Sequence, residues 1–212
     1  MAKKTRGPNR SEIRKSRRRG HDYKRNAAKL QAANSEVCLV VIDVPNINVA
    51  VRSYCTKKGI DFESFQYYKF ERACRAYLNI AHPNKNINVE LVAFTNTRDD
   101  SDYTFLHNLN NSTNWTVIFK PKIGDSDIDD DIKQYVDFYT QDKSVIGVIL
   151  VGNDLRNHTP IAHSLIDQDI IATMLCYFDL FYEKTKKELE LLESVKSIQS
   201  IDIPFFMKEY QK

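Results

Sequence analysis

The stretch from Val37 to Asn46, "VCLVVIDVPN", decides how this chain is read. Val37 to Ile42 are all apolar, with no alternation, so a strand here is buried on both faces. Such a strand belongs to a sheet with helices on both sides. The run ends in Asp43, and a carboxylate at the tip of a buried strand needs a reason. Two readings present themselves. Asp43 could cap a helix starting near Asn46, or it could present a metal ligand at the sheet edge.

Working outward, short apolar runs alternate with helical stretches. Further strands are expected over Asn88 to Thr95, Trp115 to Lys120, Val145 to Val151 and, more weakly patterned, Ile170 to Cys176. Helices are expected over Asn46 to Lys58, Phe65 to Ile80, Tyr103 to Asn110, Asp129 to Gln141 and His158 to Ile166. This alternation predicts an α/β fold, a three-layer Rossmann-like arrangement with a mostly parallel sheet of about five strands. Phe181 to Val195 predicts a C-terminal helix, with "EKTKKELELLES" pairing charges at helical spacing. The chain divides into a basic arm (1–34), a folded domain (35–178) and a C-terminal helix and tail (179–212) that packs on it. Adjacent Phe205 and Phe206 suit docking on the chain's own domain.

The overall charge of +3 hides a split: residues 1–30 carry +10 and the rest −7. The arm has few large apolar side chains to offset the entropy of ordering, so it is expected to be mobile. Its dense basic run, including Arg14, Lys15, Arg17, Arg18, Arg19, Lys24 and Arg25, points to non-specific phosphate contacts that weaken with salt. A solvated tail is the plainer alternative. The four cysteines form no CxxC pair or zinc spacing and read as thiols of a reducing compartment. Neither a signal peptide nor a membrane-spanning run is recognisable, which predicts a cytoplasmic protein without a membrane partner.

In open parallel sheets ligands bind beyond the carboxyl ends of the strands. Several acids fall there. Asp43 ends the first strand, and Asp154 follows the fourth in "VILVGND". The loop and helix in "GDSDIDDDIKQYVDFY" carry Asp125, Asp127, Asp129, Asp130, Asp131 and Asp137. Gathered carboxylates resist ionising together unless a cation joins them, and Mg²⁺ prefers such hard oxygens. Asp154 could also be a turn residue. The acidic loop could be largely solvated, with one member at the site.

Other chemistries lack their residues. A haloacid-type phosphatase needs a second Asp where Pro45 stands, and neither GxxxxGK[ST] nor GxGxxG occurs. His158 and His163 are off the helical zinc spacing and read as surface or capping histidines. The aromatics of "FESFQYYKF" could stack on bases, but Phe65, Tyr68 and Arg72 share a helix face, which favours packing into the core.

Taken together these residues resemble the NYN family of PIN-like metal-dependent ribonucleases. "IDVPN" matches the family's IDxxN with Asp43 and Asn46. "DIKQYVD" supplies Asp131 and Asp137 at the family's spacing, and "VGNDLRNHTP" supplies Asp154. The family's last acid is replaced here, with Asn157 as the nearest equivalent.

The resemblance implies phosphodiester hydrolysis of RNA with Mg²⁺ or Mn²⁺. Asp43, Asp131 and Asp154 would hold the metal, with Asp137 and Asn157 as further ligands. Asn46 would orient substrate or metal-bound water. Products would carry a 5′ phosphate and a 3′ hydroxyl. The basic arm, with Lys122 and Arg156 near the site, would supply phosphate contacts that the acidic body lacks. DNA is the alternative polyanion, because no residue can be tied to a 2′-hydroxyl. PIN-like domains often associate, which leaves a homo-oligomer open. The rival reading is a catalytically impaired PIN-like module that binds RNA or protein, because a neutral Asn157 ligand weakens the metal's hold.

Overall fold

The computed structural model describes residues 36–96, 109–110, 115–120, 128–141, 144–196 and 198–210. Glu36 onward forms one compact unit. Its strands are β1 (Val37–Asp43), β2 (Asn88–Asn96), β3 (Trp115–Lys120), β4 (Val145–Val151), β5 (Ile171–Cys176) and β6 (Gln199–Asp202). Its helices are α1 (Val44–Lys58), α2 (Tyr67–Ala81), α3 (Asp129–Tyr139), α4 (Leu155–Ile166), α5 (Glu183–Lys196) and α6 (Ile203–Tyr210), with a 3₁₀ turn at Phe178–Leu180.

The strands form one sheet in the order β3-β2-β1-β4-β5-β6, and every pairing is parallel. The sheet therefore has six strands, one more than expected. The extra strand is β6, four residues long and without a fully buried position. No apolar run marks it; pairing with β5 makes it a strand. Residues 179–212 thus extend the sheet itself, as well as adding helices.

Alternate residues of β1 serve the two faces, as a period of two requires. Cys38, Val40 and Ile42 join one core cluster with Ile47 and Val51 of α1, Phe70 and Leu78 of α2, and Ile203 and Phe206 of α6. The other face is covered by α3 and α4, with the Phe94 and Tyr135 rings 5.3 Å apart. Phe206 is fully buried against Phe70, at 5.8 Å between centroids. Burying such a side chain contributes about 1.5–3 kcal/mol, so Phe206 docks as expected, whereas Phe205, 57% exposed, takes no part in this core.

Helix ends follow from identifiable residues. α1 begins at Val44, two residues earlier than expected, because Asp43 caps it and Pro45 suits a first turn. Gly59 ends it in the left-handed region at φ 64°, and the Ile60 N–H returns to the Cys55 carbonyl at 3.1 Å. On α2 the buried residues are Tyr67, Phe70, Ala73, Cys74 and Leu78, while Tyr68 and Arg72 face solvent. The expected Phe65–Tyr68–Arg72 face is therefore corrected: Phe65 precedes the helix, and the rings of Tyr67 and Phe70 both pack on it. Most of the helix expected over Tyr103 to Asn110 lies outside the described residues. No described helix is long and apolar enough to cross a membrane.

Candidate functional site

The strand order reverses direction between β1 and β4. The chain proceeds outward from β1 to β2 and from β4 to β5, which opens a crevice at the carboxyl ends of the central pair. Ile42 pairs with Val151, so Asp43 and Gly152 stand at neighbouring strand ends.

Asp43 is only 5% exposed. Its Oδ1 accepts the Asn46 N–H at 3.0 Å, which is a helix cap. Capping satisfies one of the four N–H groups left over at a helix start. Asn46 then spans the crevice, its Oδ1 accepting the main-chain N–H of Asn153. Asn153 continues the tie. Its Nδ2 donates to the Tyr177 carbonyl at 3.1 Å, and its Oδ1 accepts the Tyr177 N–H at 2.7 Å. One asparagine after another thus binds the ends of β1, β4 and β5 together.

Asp154 occupies the cap position of α4, yet its side chain makes no capping bond. Instead Asn157 Nδ2 donates to Asp154 Oδ2 at 3.0 Å and also to Asp129 Oδ2. Asp129 opens α3 with Asp130 and Asp131, where the partial positive charge of a helix start favours acids. Asp129, Asp154, Arg156 and Asn157 line a cleft of about 1280 Å³ whose lining also includes Phe181 and Tyr182.

Beneath this edge lies His158, 2% exposed. The expectation of a surface or capping histidine is corrected: α4 turns this position inward, onto the sheet. Its Nδ1 has no hydrogen-bond partner among the described residues. Burial pushes its pKa down to about 4, with the Asp154 carboxylate pulling the other way. A Cβ at Gly152 would lie 2.8 Å from His158 Cε1 and 3.1 Å from Asn46 Oδ1, and the backbone there has φ +158°, so both space and backbone conformation favour glycine.

The predicted residues separate into groups. Asp43, Asn46 and Asp154 come to the same edge, and Asn157 joins Asp154. Asp131 instead forms an ion pair with Lys120 at the end of β3. Asp137 is six residues further on, about 9 Å along the helix and 120° around it, so it cannot share an ion with Asp131. Among the described residues no three His, Cys, Asp or Glu side chains gather as a metal cluster. Among the described residues Asp43, Asp131 and Asp154 do not gather as the expected cluster: Asp43 Oδ1 accepts a backbone N–H and Asp131 pairs with Lys120. Lys122, Asp125, Asp127 and all arm residues from Arg14 to Arg25 lie outside the described residues.

The donors that remain together are Asp129, Asp154 and Asn157. Mg²⁺ is commonly held by one or two carboxylates, several waters and substrate phosphates. This hard-oxygen set fits that requirement, with Asn157 turned to present its carbonyl oxygen. Sequence reasoning missed Asp129 as the partner of Asp154, and also Gly152, Asn153 and His158. The only signal was the "GND" turn itself; Asp129 and Asp131 are indistinguishable as letters in an acidic run.

No family model matches the chain, and no curated protein matches it. A solved structure of a protein of unknown function from Vibrio parahaemolyticus RIMD 2210633 is similar in fold. Its TM-score is 0.53 at 19% identity, over 80% of this chain and 94% of that one. That similarity shows the α/β architecture.

Proposed function

We propose that this chain is a metal-dependent ribonuclease that hydrolyses RNA phosphodiester bonds in the cytoplasm. The observation that carries the reading is Asp154. It is a carboxylate at the switch point of a parallel sheet, withheld from capping its own helix and joined through Asn157 to Asp129 in an open cleft.

Asp129 and Asp154 would hold Mg²⁺ or Mn²⁺, with Asn157 beside them. A bound ion supplies a more acidic water and stabilises charge on phosphate oxygens. The chain's own residues do the rest. Asp43 fixes the start of α1, and Asn46 braces the turn that carries Asp154. Arg156, exposed on the first turn of α4, meets phosphate. Tyr182, 85% exposed on the same cleft, offers a ring face to a base. The +10 arm compensates for the −7 body in attracting a polyanion.

One observation favours a second reading, an impaired RNA- or protein-binding module. The Asn157 amide nitrogen bonds both carboxylates and so meets their charge without a cation. The test is cleavage of end-labelled single-stranded RNA in Mn²⁺ by the native chain and by Asp154→Asn. Cutting by the native chain alone supports the nuclease. RNA binding by both with cutting by neither supports the module.

A further inference from the structure

His158 is used by neither reading, yet it is the one histidine wholly enclosed among the described residues. A buried polar atom without a partner carries a desolvation penalty and asks for an explanation. Simple filling of the core would be served by an apolar residue. The ring's surroundings supply a more specific role. Its Cε1 reaches to 2.8 Å from where a Cβ on Gly152 would stand, and Asn46 Oδ1 lies 3.1 Å from the same point. The ring and the Asn46 amide therefore enclose Gly152 together. Asn46 Oδ1 also receives the Asn153 main-chain N–H, and the His158 main-chain N–H donates to the Asp154 carbonyl at 3.1 Å.

We infer that His158 is a positioning residue: the tip of its ring, seated against Gly152, sets where Asn46 meets Asn153 and hence where Asp154 stands in the cleft. The side chain reaches the cleft only through these neighbours. Its effect on turnover rests on the ribonuclease reading; its effect on geometry does not.

The arrangement predicts coupling between positions 152 and 158. Leu and Asn each end one atom short of the imidazole Cε1, so either makes room for a Cβ, one apolar and one polar. The full-length native chain is compared with Gly152→Ala, with His158→Leu and His158→Asn, and with each of these combined with Gly152→Ala. RNA cleavage in Mn²⁺ is measured well below every chain's melting temperature, and the Asn153 amide resonance is followed by NMR.

Gly152→Ala alone should lower kcat by about tenfold or more with KM within about twofold, and should shift the Asn153 resonance. In either His158 background the same change should lower kcat by a smaller factor without becoming neutral, because φ +158° strains any side chain at position 152. A native Asn153 resonance in both His158 variants overturns the inference whatever the kcat penalties, because the backbone strain at Gly152 is present in every background. If the Leu chain does not fold, the Asn chain decides. If the native chain neither binds Mn²⁺ nor cuts RNA, the ribonuclease reading fails. The Asn153 resonance in the same proteins then still decides the role of His158.

Discussion

Asp43 and Asp154 hold the same formal position: each follows a central strand and precedes a helix. They are used differently. Asp43 is nearly enclosed and its carboxylate accepts a backbone N–H of α1. Asp154 is half-buried, leaves its helix without a side-chain cap, and turns to Asn157 and the cleft. A carboxylate engaged by the backbone serves the fold. One held back from the backbone meets a side chain instead, here Asn157.

The largest effect should fall on the Asp154 side. Asp154→Asn and Asp129→Asn should each lower RNA cleavage in Mn²⁺ by on the order of 10²–10³-fold. Both should change thermal stability little, since relief of like-charge repulsion is offset by weaker bonds from Asn157 and, at Asp129, by loss of charge at a helix start. Loss of cleavage together with loss of folding would break the distinction.

Next comes His158. Its folded pKa is held near 4 by burial, below the ordinary 6.5. As pH falls, the unfolded chain takes up the proton first. Stability from this group is full above about 6.5 and is lost on descending toward about 4, by about 3 kcal/mol in all. Urea titrations at pH 7 and 4.5 should show that loss in the native chain and a correspondingly smaller one in His158→Leu.

Tyr182→Ala should weaken single-stranded RNA binding by about 1–3 kcal/mol, the usual range for a lost stacking platform. Its melting temperature should not move, because the ring is exposed. Fluorescence anisotropy with labelled RNA checks the first, and a thermal melt the second.

The smallest effect sharpens the comparison directly. Asp43→Ala should cost about 1 kcal/mol of stability, while Asp43→Asn, a good cap, should cost almost none. Asp43→Asn should also retain far more cleavage activity than Asp154→Asn. Equal inactivity would mean that both carboxylates share an ion.

The central strands, their parallel arrangement and the edge on which the acids fall were all legible in the sequence. β1 and β4 are long apolar runs, and Asp43, Pro45 and Gly59 mark the ends of α1 through their own backbone chemistry. Propensity and capping act within a few residues, so local letters carry them. β6 was not legible, because a four-residue strand exists only by virtue of its neighbour. Nor could the sequence separate Asp129, which meets Asn157, from Asp131, which meets Lys120. Two residues along a helix turn a side chain by about 200°, and what waits on each side comes from distant segments. The burial of His158 was decided the same way. The sequence by itself determined a covered parallel sheet with acids at its carboxyl edge. Tertiary structure alone decided which acids stand together, because that depends on how α3 and α4 pack across the sheet.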